Sequence, residues 1–422
     1  MAGCSVVNWG DSDSVELEDK NQFIRSSMLD MNYVGSLITY LALRPEVKKQ
    51  LRYYPNTSIY KIFDNLRYVE YQNESHFRRY SLSSVEANSY LDSIVKEAEK
   101  GATLEDLAAV ISDEDITFSE AMGFIEQLVD NQLLVHELEI AITETNNLTA
   151  LIDRVSEFDI QNDELKAILD LIKRIKQYLS QLDGQVSNTA ANYNKIIAEI
   201  EKLNVEYKKK WVFQVDFFKP MKSNVLSQKY QRNLFKVLDT LNKTQKKPKN
   251  DNLENFKSSF SARYQEKEVQ LVEALDNEFG IGYAGNVSGR GEVNYLIDSL
   301  QLPGNTGSIN INWDPWIRYL HQEVLKSKEN GTGTVKLDSE KINSIFGNSI
   351  SENDYLPDTL IAPFSHLGKI DDSDEKLIYY GFQGSSAANA IGRFAHLDGK
   401  IHEVVKNITK TEEELNKDKI IA

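Results

Sequence analysis

Apolar positions recur every three or four residues through several stretches of the chain, and these stretches alternate with short β-prone runs. Between Asp30 and Gln50, the side chains of Tyr33, Leu37, Tyr40 and Leu41 fall on one helical face, and Arg44-Pro45 closes that helix ahead of a second, short basic one. Ile59, Phe63, Tyr68 and Tyr71 flank turn-like Asn65 and Asn73, which predicts a hairpin running to Tyr80. From Ser84 to Val135 the pattern is helix, turn, helix. Ser83 or Ser84 is placed to cap the first helix, Gly101 to end it, Thr103 with Asp106 to form a capping box and Thr117 to cap the next. The prediction is a compact three-helix unit with a strand after it at Leu133-Leu134-Val135.

The longest periodic stripe runs from Leu165 through Ile172, Leu179, Tyr193 and Ile200 to Leu203, in alternating steps of three and four. Such a heptad stripe forms either a coiled-coil-like seam or two packed helices broken near Asp183-Gly184. It serves as a scaffold arm against the domain core or as a dimerisation arm. A strand-like run, Trp211 to Asp216, ends in a carboxylate. Helices are predicted at Leu226 to Leu241 and at Leu253 to Leu275, followed by a glycine-rich loop at Gly280 to Gly291. Near the end come a strand at Lys376 to Phe382, a turn at Gly384-Ser385-Ser386 and a helix start at Ala387 to Arg393. The fold class is α+β: a large mixed fold of several subdomains with a small helical unit and a long heptad-patterned helical arm. Its expected parts are 1–140, 141–210 and 211–422.

With 422 residues, 41% of them apolar and 27% charged, the chain is long enough and balanced enough to bury a large core. Thr244 to Asn252 is Lys/Asn-rich and reads as a solvated loop. No run of about 18 apolar residues is present, so no membrane insertion is expected. Met1 to Asp11 lacks the basic start and apolar run of a signal peptide, which makes the expected location cytoplasmic. Cys4 is the only cysteine and the six histidines are scattered, leaving no disulfide and no metal site in prospect. A net charge of -16 disfavours a broad basic surface for nucleic acid. The lysines at Lys208 to Lys210 and around Lys243 to Lys249 are local patches or solvated loops.

Two motif matches carry little chemistry. Gly280-Ile281-Gly282-Tyr283-Ala284-Gly285 has the dinucleotide spacing but follows a helical pattern where that motif needs a strand, so a turn explains it better. Gly384-Ser385-Ser386 lacks the Gly-x-Ser-x-Gly elbow, and no nucleophilic triad emerges. Backbone amides at the small-residue turn before Ala387 either hold an anion or pack tightly.

Several blocks stand out in order: Met1 to Val6, Arg25 to Tyr33 with Leu29-Asp30-Met31, Leu66 to Glu70, Arg79 to Ser84, Gln132 to Val135, Gln214-Val215-Asp216, Arg263-Tyr264 leading to Leu275-Asp276 and Gly280 to Tyr283, and Gly384 to Asn389 continuing to Gly392-Arg393-Phe394 and Leu397-Asp398. In that order they resemble the N-terminal, glutamylating domain of the lantibiotic dehydratases. The first block resembles the segment directly after that family's Arg-x-Thr-Pro-Phe-Gly motif.

The resemblance implies lanthipeptide biosynthesis: glutamate from glutamyl-tRNA, the co-substrate in place of any cofactor, is esterified onto Ser or Thr of a precursor peptide. Later elimination of glutamate leaves a dehydro amino acid. It points to Asp30 and Asp216 as catalytic residues that hold the glutamyl ammonium or help deprotonate the attacking hydroxyl. Arg393 is placed as the substrate-binding residue, for a tRNA phosphate or the glutamyl carboxylate. Each also has an ordinary reading: Asp30 as a helix-start residue, Asp216 as a strand-end acceptor, Arg393 as a structural ion pair. The three are expected to face one cleft.

The expected partners are precursor peptide and glutamyl-tRNA. Because the resemblance begins past the Arg-x-Thr-Pro-Phe-Gly motif and stops short of the elimination domain, the chain is also expected to be an internal fragment. Such a fragment would be inactive alone and in need of separate polypeptides supplying the missing segments, or of a homodimer. A non-catalytic scaffold that binds precursor peptide is the alternative. The hairpin and small helices up to Val135 are expected to take the peptide leader by strand addition.

Overall fold

The computed structural model describes residues 2–74, 77–139, 144–185, 187–244, 250–277, 279–283, 313–346, 360–369, 375–384 and 386–417. They form two compact units, one of Met1–Ser26, Asp216–Lys249 and Pro303–Ala422, the other of Ser27–Val215 and Asn250–Leu302. Helices and several small sheets are mixed along the chain, an α+β architecture.

Three short strands come first, β1 (Ala2–Cys4), β2 (Asn8–Gly10) and β3 (Ser14–Leu17), and the chain passes into the second unit within β4 (Ile24–Leu29). Helix α1 (Met31–Ala42) starts at Asp30 because that carboxylate accepts the Asn32 N–H, a donor with no partner inside the helix. Pro45 opens α2 (Pro45–Gln50), where its missing N–H costs nothing.

Strand β5 (Tyr53–Pro55) precedes β6 (Tyr60–Ile62), β7 (Asn65–Glu74) and β8 (Phe77–Glu86), which form an antiparallel sheet in that order. The predicted hairpin is present but differs in its turns. The chain reverses at Phe63-Asp64, with Phe63 at φ 49, while Asn65 already pairs with Glu86 in the ladder. Ser83 and Ser84 lie inside β8, so neither caps a helix; Asn88 does, its side chain accepting the Leu91 N–H of α3 (Ser89–Ala98). Gly101 takes the left-handed φ of 79 that ends this helix. Full capping boxes at Thr103/Asp106 and Thr117/Glu120 start α4 (Leu104–Ile111) and α5 (Phe118–Asp130). Strand β9 (Leu134–His136) then pairs antiparallel with β5 and closes the helical unit.

The heptad stripe is divided between α7 (Asp163–Asp183) and α8 (Ala190–Glu201), which follow α6 (Asn147–Ser156); Gly184 caps α7, and Val186 lies outside the described residues. Leu165, Ile172 and Leu179 from α7 and Ile196 and Ile200 from α8 are buried in one core with α1 and the three small helices. Each such side chain is worth about 1.5–3 kcal/mol on burial, so the stripe is consumed by the core of its own unit.

Strand β10 (Phe213–Phe218) returns the chain to the first unit, followed by β11 (Met221–Ser227) and α9 (Gln228–Thr244). Asp216 is therefore inside a strand, not at its end, because Phe217 and Phe218 continue the extended run. The helix predicted over Leu253 to Leu275 is two helices, α10 (Asp251–Tyr264) and α11 (Leu271–Leu275). Gln265 at φ 54 breaks it, a conformation no right-handed helix accommodates. Of the glycine-rich stretch, only Gly280 to Tyr283 belong to the described residues. The remaining elements are α12 (Pro315–Glu329), α13 (Ser339–Phe346), β12 (Ala362–Lys369), β13 (Glu375–Gln383), α14 (Ala388–Ile391) and α15 (Gly399–Leu415).

Strand β10 has β1 and β4 as its neighbours, and in the first unit β11 lies between β2, to which it is parallel, and β3, to which it is antiparallel. Strands β12 and β13 form a separate antiparallel pair. Among the described residues no helix is long and apolar enough to cross a membrane.

Candidate functional site

The first unit builds a small centre around Asp216. Parallel pairing of β1 with β10 sets Ala2 opposite Asp216, Gly3 opposite Phe217 and Cys4 opposite Phe218. Phe218 joins Phe394, Leu397 and Ile401 in a buried apolar cluster against which Ala2, Cys4, Val6 and Val405 pack. Phe394 closes a single 3-10 turn, Gly392–Phe394, between α14 and α15, so its burial anchors the turn that carries Arg393.

From that turn the Arg393 Nη2 donates to Oδ1 of Asp216 at 2.5 Å. The two partners differ in surroundings: the Asp216 side chain has no solvent exposure, while that of Arg393 keeps 49% of its own. A buried carboxylate is stable only when paired and hydrogen-bonded, and a guanidinium has five donors in a planar fork. Asp216 thus accepts from one nitrogen of Arg393, whose guanidinium lies over the Phe394 ring at 5.3 Å and whose side chain stays about half exposed. Burial raises the Cys4 thiol above its ordinary range, and the charges of Asp216 and Asp398 push it further, with Lys219 opposing them.

The structure brings Asp216 and Arg393 together. Asp30 belongs to the second unit, where its Oδ1 takes the Asn32 N–H at 2.9 Å and its own N–H donates to the Val212 carbonyl. The geometry of Asp30 is that of a helix cap. Among the described residues no group of three or more His, Cys, Asp or Glu side chains gathers as metal ligands would.

Sequence reasoning passed over Glu412. This residue of α15 is buried, its Oε2 accepting from the Ser386 hydroxyl at 2.8 Å and its Oε1 from the Ala387 N–H at 3.0 Å. It stands in the run Glu412-Glu413-Glu414, and no local signal separates it from its exposed neighbours. Only its phase on the helix, in line with Ile401, Val405 and Ile408, marks it.

In the second unit β8 stands at one end of its sheet, and its outer side carries no strand among the described residues. Tyr80 on it is exposed and meets Tyr71 edge to face. Arg78 covers the Tyr71 ring at 3.9 Å and pairs with Glu139 at 2.9 Å, and the Tyr71 hydroxyl donates to the same carboxylate at 3.0 Å. Burial, then the Glu139 charge, pushes the Tyr71 hydroxyl up to about 12.

The family model for the lantibiotic dehydratase N terminus matches residues 1–422. Over 406 residues the chain is 22% identical to the subtilin biosynthesis protein SpaB of Bacillus subtilis, a match covering 94% of this chain and 37% of SpaB. Its fold is similar to that of the tRNA dependent lantibiotic dehydratase MibB from Microbispora sp. 107891, with a TM-score of 0.65 and 14% identity over 92% of this chain and 38% of that one. The glutamylation domain of TbtB from thiomuracin biosynthesis, bound to 5'-phosphodesmethylglutamycin, is similar at a TM-score of 0.50 and 13% identity, over 94% of this chain and 48% of that one. By the extent of the family match, the chain belongs to the lantibiotic dehydratase N-terminus family.

Proposed function

We propose that this chain carries out glutamyl transfer from glutamyl-tRNA to Ser or Thr side chains of a precursor peptide. The observation that carries the proposal is the Asp216–Arg393 pair: a half-exposed guanidinium held at one nitrogen by a fully buried carboxylate. Its remaining donors suit an anion, either the side-chain carboxylate of the glutamyl group or a phosphate of the tRNA end. In the transfer a Ser or Thr oxygen attacks the glutamyl ester carbonyl, the tRNA hydroxyl leaves, and the hydroxyl proton passes to a base. Without solvent exposure, Asp216 acts in this scheme through Arg393, fixing its direction. Asp30 is proposed to hold the glutamyl ammonium or to assist proton removal, with its helix cap setting the carboxylate's direction. Esterification makes chemical sense, because hydroxide leaves poorly from Ser or Thr whereas a carboxylate leaves readily once the α-proton is removed.

Purified protein incubated with glutamyl-tRNA and a Ser/Thr-rich precursor provides the test. Mass spectrometry should find a glutamyl adduct that Arg393→Ala abolishes. An adduct formed equally well by Arg393→Ala and Asp216→Asn would refute the assignment.

A second reading, a peptide-binding scaffold without transfer, draws on β8. Its ten residues form an end strand to which an extended leader adds by main-chain hydrogen bonds, with Tyr80 as a side-chain contact. Leader crosslinks confined to β8 and its helices, with no adduct under any condition, would favour that reading.

A further inference from the structure

We propose that Glu412 is a positioning residue that sets the direction of Arg393, an inference that rests on the role given to Arg393 above. The chain reaching Arg393 is fixed at both ends. At its start the Glu412 carboxylate takes the Ser386 hydroxyl and the Ala387 N–H, and the same Ser386 oxygen accepts the Ala388 N–H at 3.1 Å. One carboxylate and one hydroxyl thus engage the leading donors of α14, groups that the helix itself leaves without partners. At its end Phe394 is buried with Phe218, Leu397 and Ile401. Between these anchors the Ala390 N–H donates to the Ala387 carbonyl, and across the second anchor the Ala395 N–H donates to that of Gly392, so little slack remains at Arg393.

A carboxylate is an expensive way to fill this position. Only 4% of Glu412 is exposed, and its hydrogen bonds shown above come from a hydroxyl and an amide, neither of them charged. An apolar side chain would satisfy packing, and burying charge costs free energy unless directional bonds compensate. Charge-assisted bonds are shorter and stiffer than neutral ones. What the carboxylate adds over an apolar side chain is therefore a fixed entry angle for the segment that ends at Arg393. Among the described residues, a serine hydroxyl and a main-chain donor receive that constraint, and no cation pairs with Glu412.

Cys4 offers a readout that needs no ligand. It is the single cysteine of the chain, and its thiol senses Asp216, Asp398 and Lys219. When Arg393 leaves Asp216, the carboxylate charge is less neutralised and the thiol should titrate higher. Thiol titration is to be measured for wild type, Arg393→Ala, Glu412→Ala, Glu412→Gln and the Arg393→Ala/Glu412→Ala double variant, with exposed Glu413→Ala as the control on the same helix. The expected result is an upward shift in Arg393→Ala and in Glu412→Ala, a smaller one in Glu412→Gln, which keeps the shape and one acceptor, and none in Glu413→Ala. The double variant should match Arg393→Ala alone, since no arginine is left to position.

A Glu412→Ala thiol that titrates like wild type, or a double variant whose shift is the sum of the two, overturns the proposal. Binding of a non-hydrolysable glutamyl-adenosine mimic is read in parallel and should weaken about tenfold or more in Glu412→Ala. If the thiol responds as expected but the mimic binds no variant and not the wild type, the positioning role stands and the glutamyl-binding role of Arg393 falls.

Discussion

Arg67 and Asp276 meet across 2.9 Å with side chains 4% and 0% exposed, an ion pair removed from water within the second unit. Asp276 also takes the Tyr60 hydroxyl at 3.0 Å on Oδ2 and the Phe279 N–H at 2.9 Å on Oδ1. The guanidinium lies over the Phe279 ring at 5.2 Å, and Phe279 in turn contacts Phe63. The pair ties the β6–β8 sheet to the turn after α11. Removing one member strands a buried charge, so Arg67→Met and Asp276→Asn should each lower stability by about 3–5 kcal/mol. The double variant should lose less than the sum. Denaturant melts of the three proteins decide this, and strictly additive losses would show that the two side chains do not depend on each other.

Elements with a strong local pattern were legible in the sequence, and those fixed by distant partners were not. Thr103 and Thr117 announced their helices because a cap and its acid lie three residues apart. Ser83 and Ser84 misled because pairing with Arg67 and Tyr68 in the ladder outweighed their capping preference. The break at Gln265 left no mark, since glutamine rarely takes positive φ and nothing in the local residue pattern calls for it there. In the candidate site Asp216 and Arg393 were found by block resemblance, yet their pairing over 177 positions was beyond any spacing rule. Glu412 was invisible for the same reason.

Two glycines should respond oppositely to alanine. A Cβ on Gly123, inside α5, meets nothing within 4 Å, whereas one on Gly280 falls 2.0 Å from the Glu273 carbonyl oxygen and 2.7 Å from that of Ala274. Gly123→Ala should therefore stabilise by about 0.5–1 kcal/mol through helix propensity. Gly280→Ala has to move backbone and should destabilise the turn that Arg263 holds through the Phe279 and Gly280 carbonyls. Thermal midpoints moving the same way for both would count against this packing.

The α5 capping box gives a sharper local test. The Thr117 hydroxyl accepts the Glu120 N–H, and the Glu120 carboxylate accepts the Thr117 N–H at 2.9 Å and its hydroxyl at 2.7 Å. These bonds hold the Glu120 carboxyl below its ordinary range, the hydroxyl first and the amide second. Thr117→Ala should cost about 1 kcal/mol and return the Glu120 titration toward its ordinary value. An unchanged Glu120 titration by NMR would remove the box from the account.

His136 should make the helical unit sensitive to mild acid. It ends β9, paired with Tyr53 of β5, and its Nδ1 has no hydrogen-bond partner among the described residues. Burial holds the imidazole below its ordinary value of 6.5, against the opposing pull of the Glu139 and Glu137 charges. Above that value His136 is neutral in both folded and unfolded chains, and its contribution to stability is complete. As pH falls through 6.5 the unfolded chain binds a proton before the folded one does, so stability drops until the folded imidazole also titrates. Denaturant midpoints for wild type should accordingly fall between about pH 7 and pH 5, while His136→Phe should show a flatter profile over the same interval. Glu139→Gln removes a charge that favours the protonated ring, and should steepen the wild-type dependence. Equal slopes for wild type and His136→Phe would mean that the acid sensitivity of this unit comes from other groups.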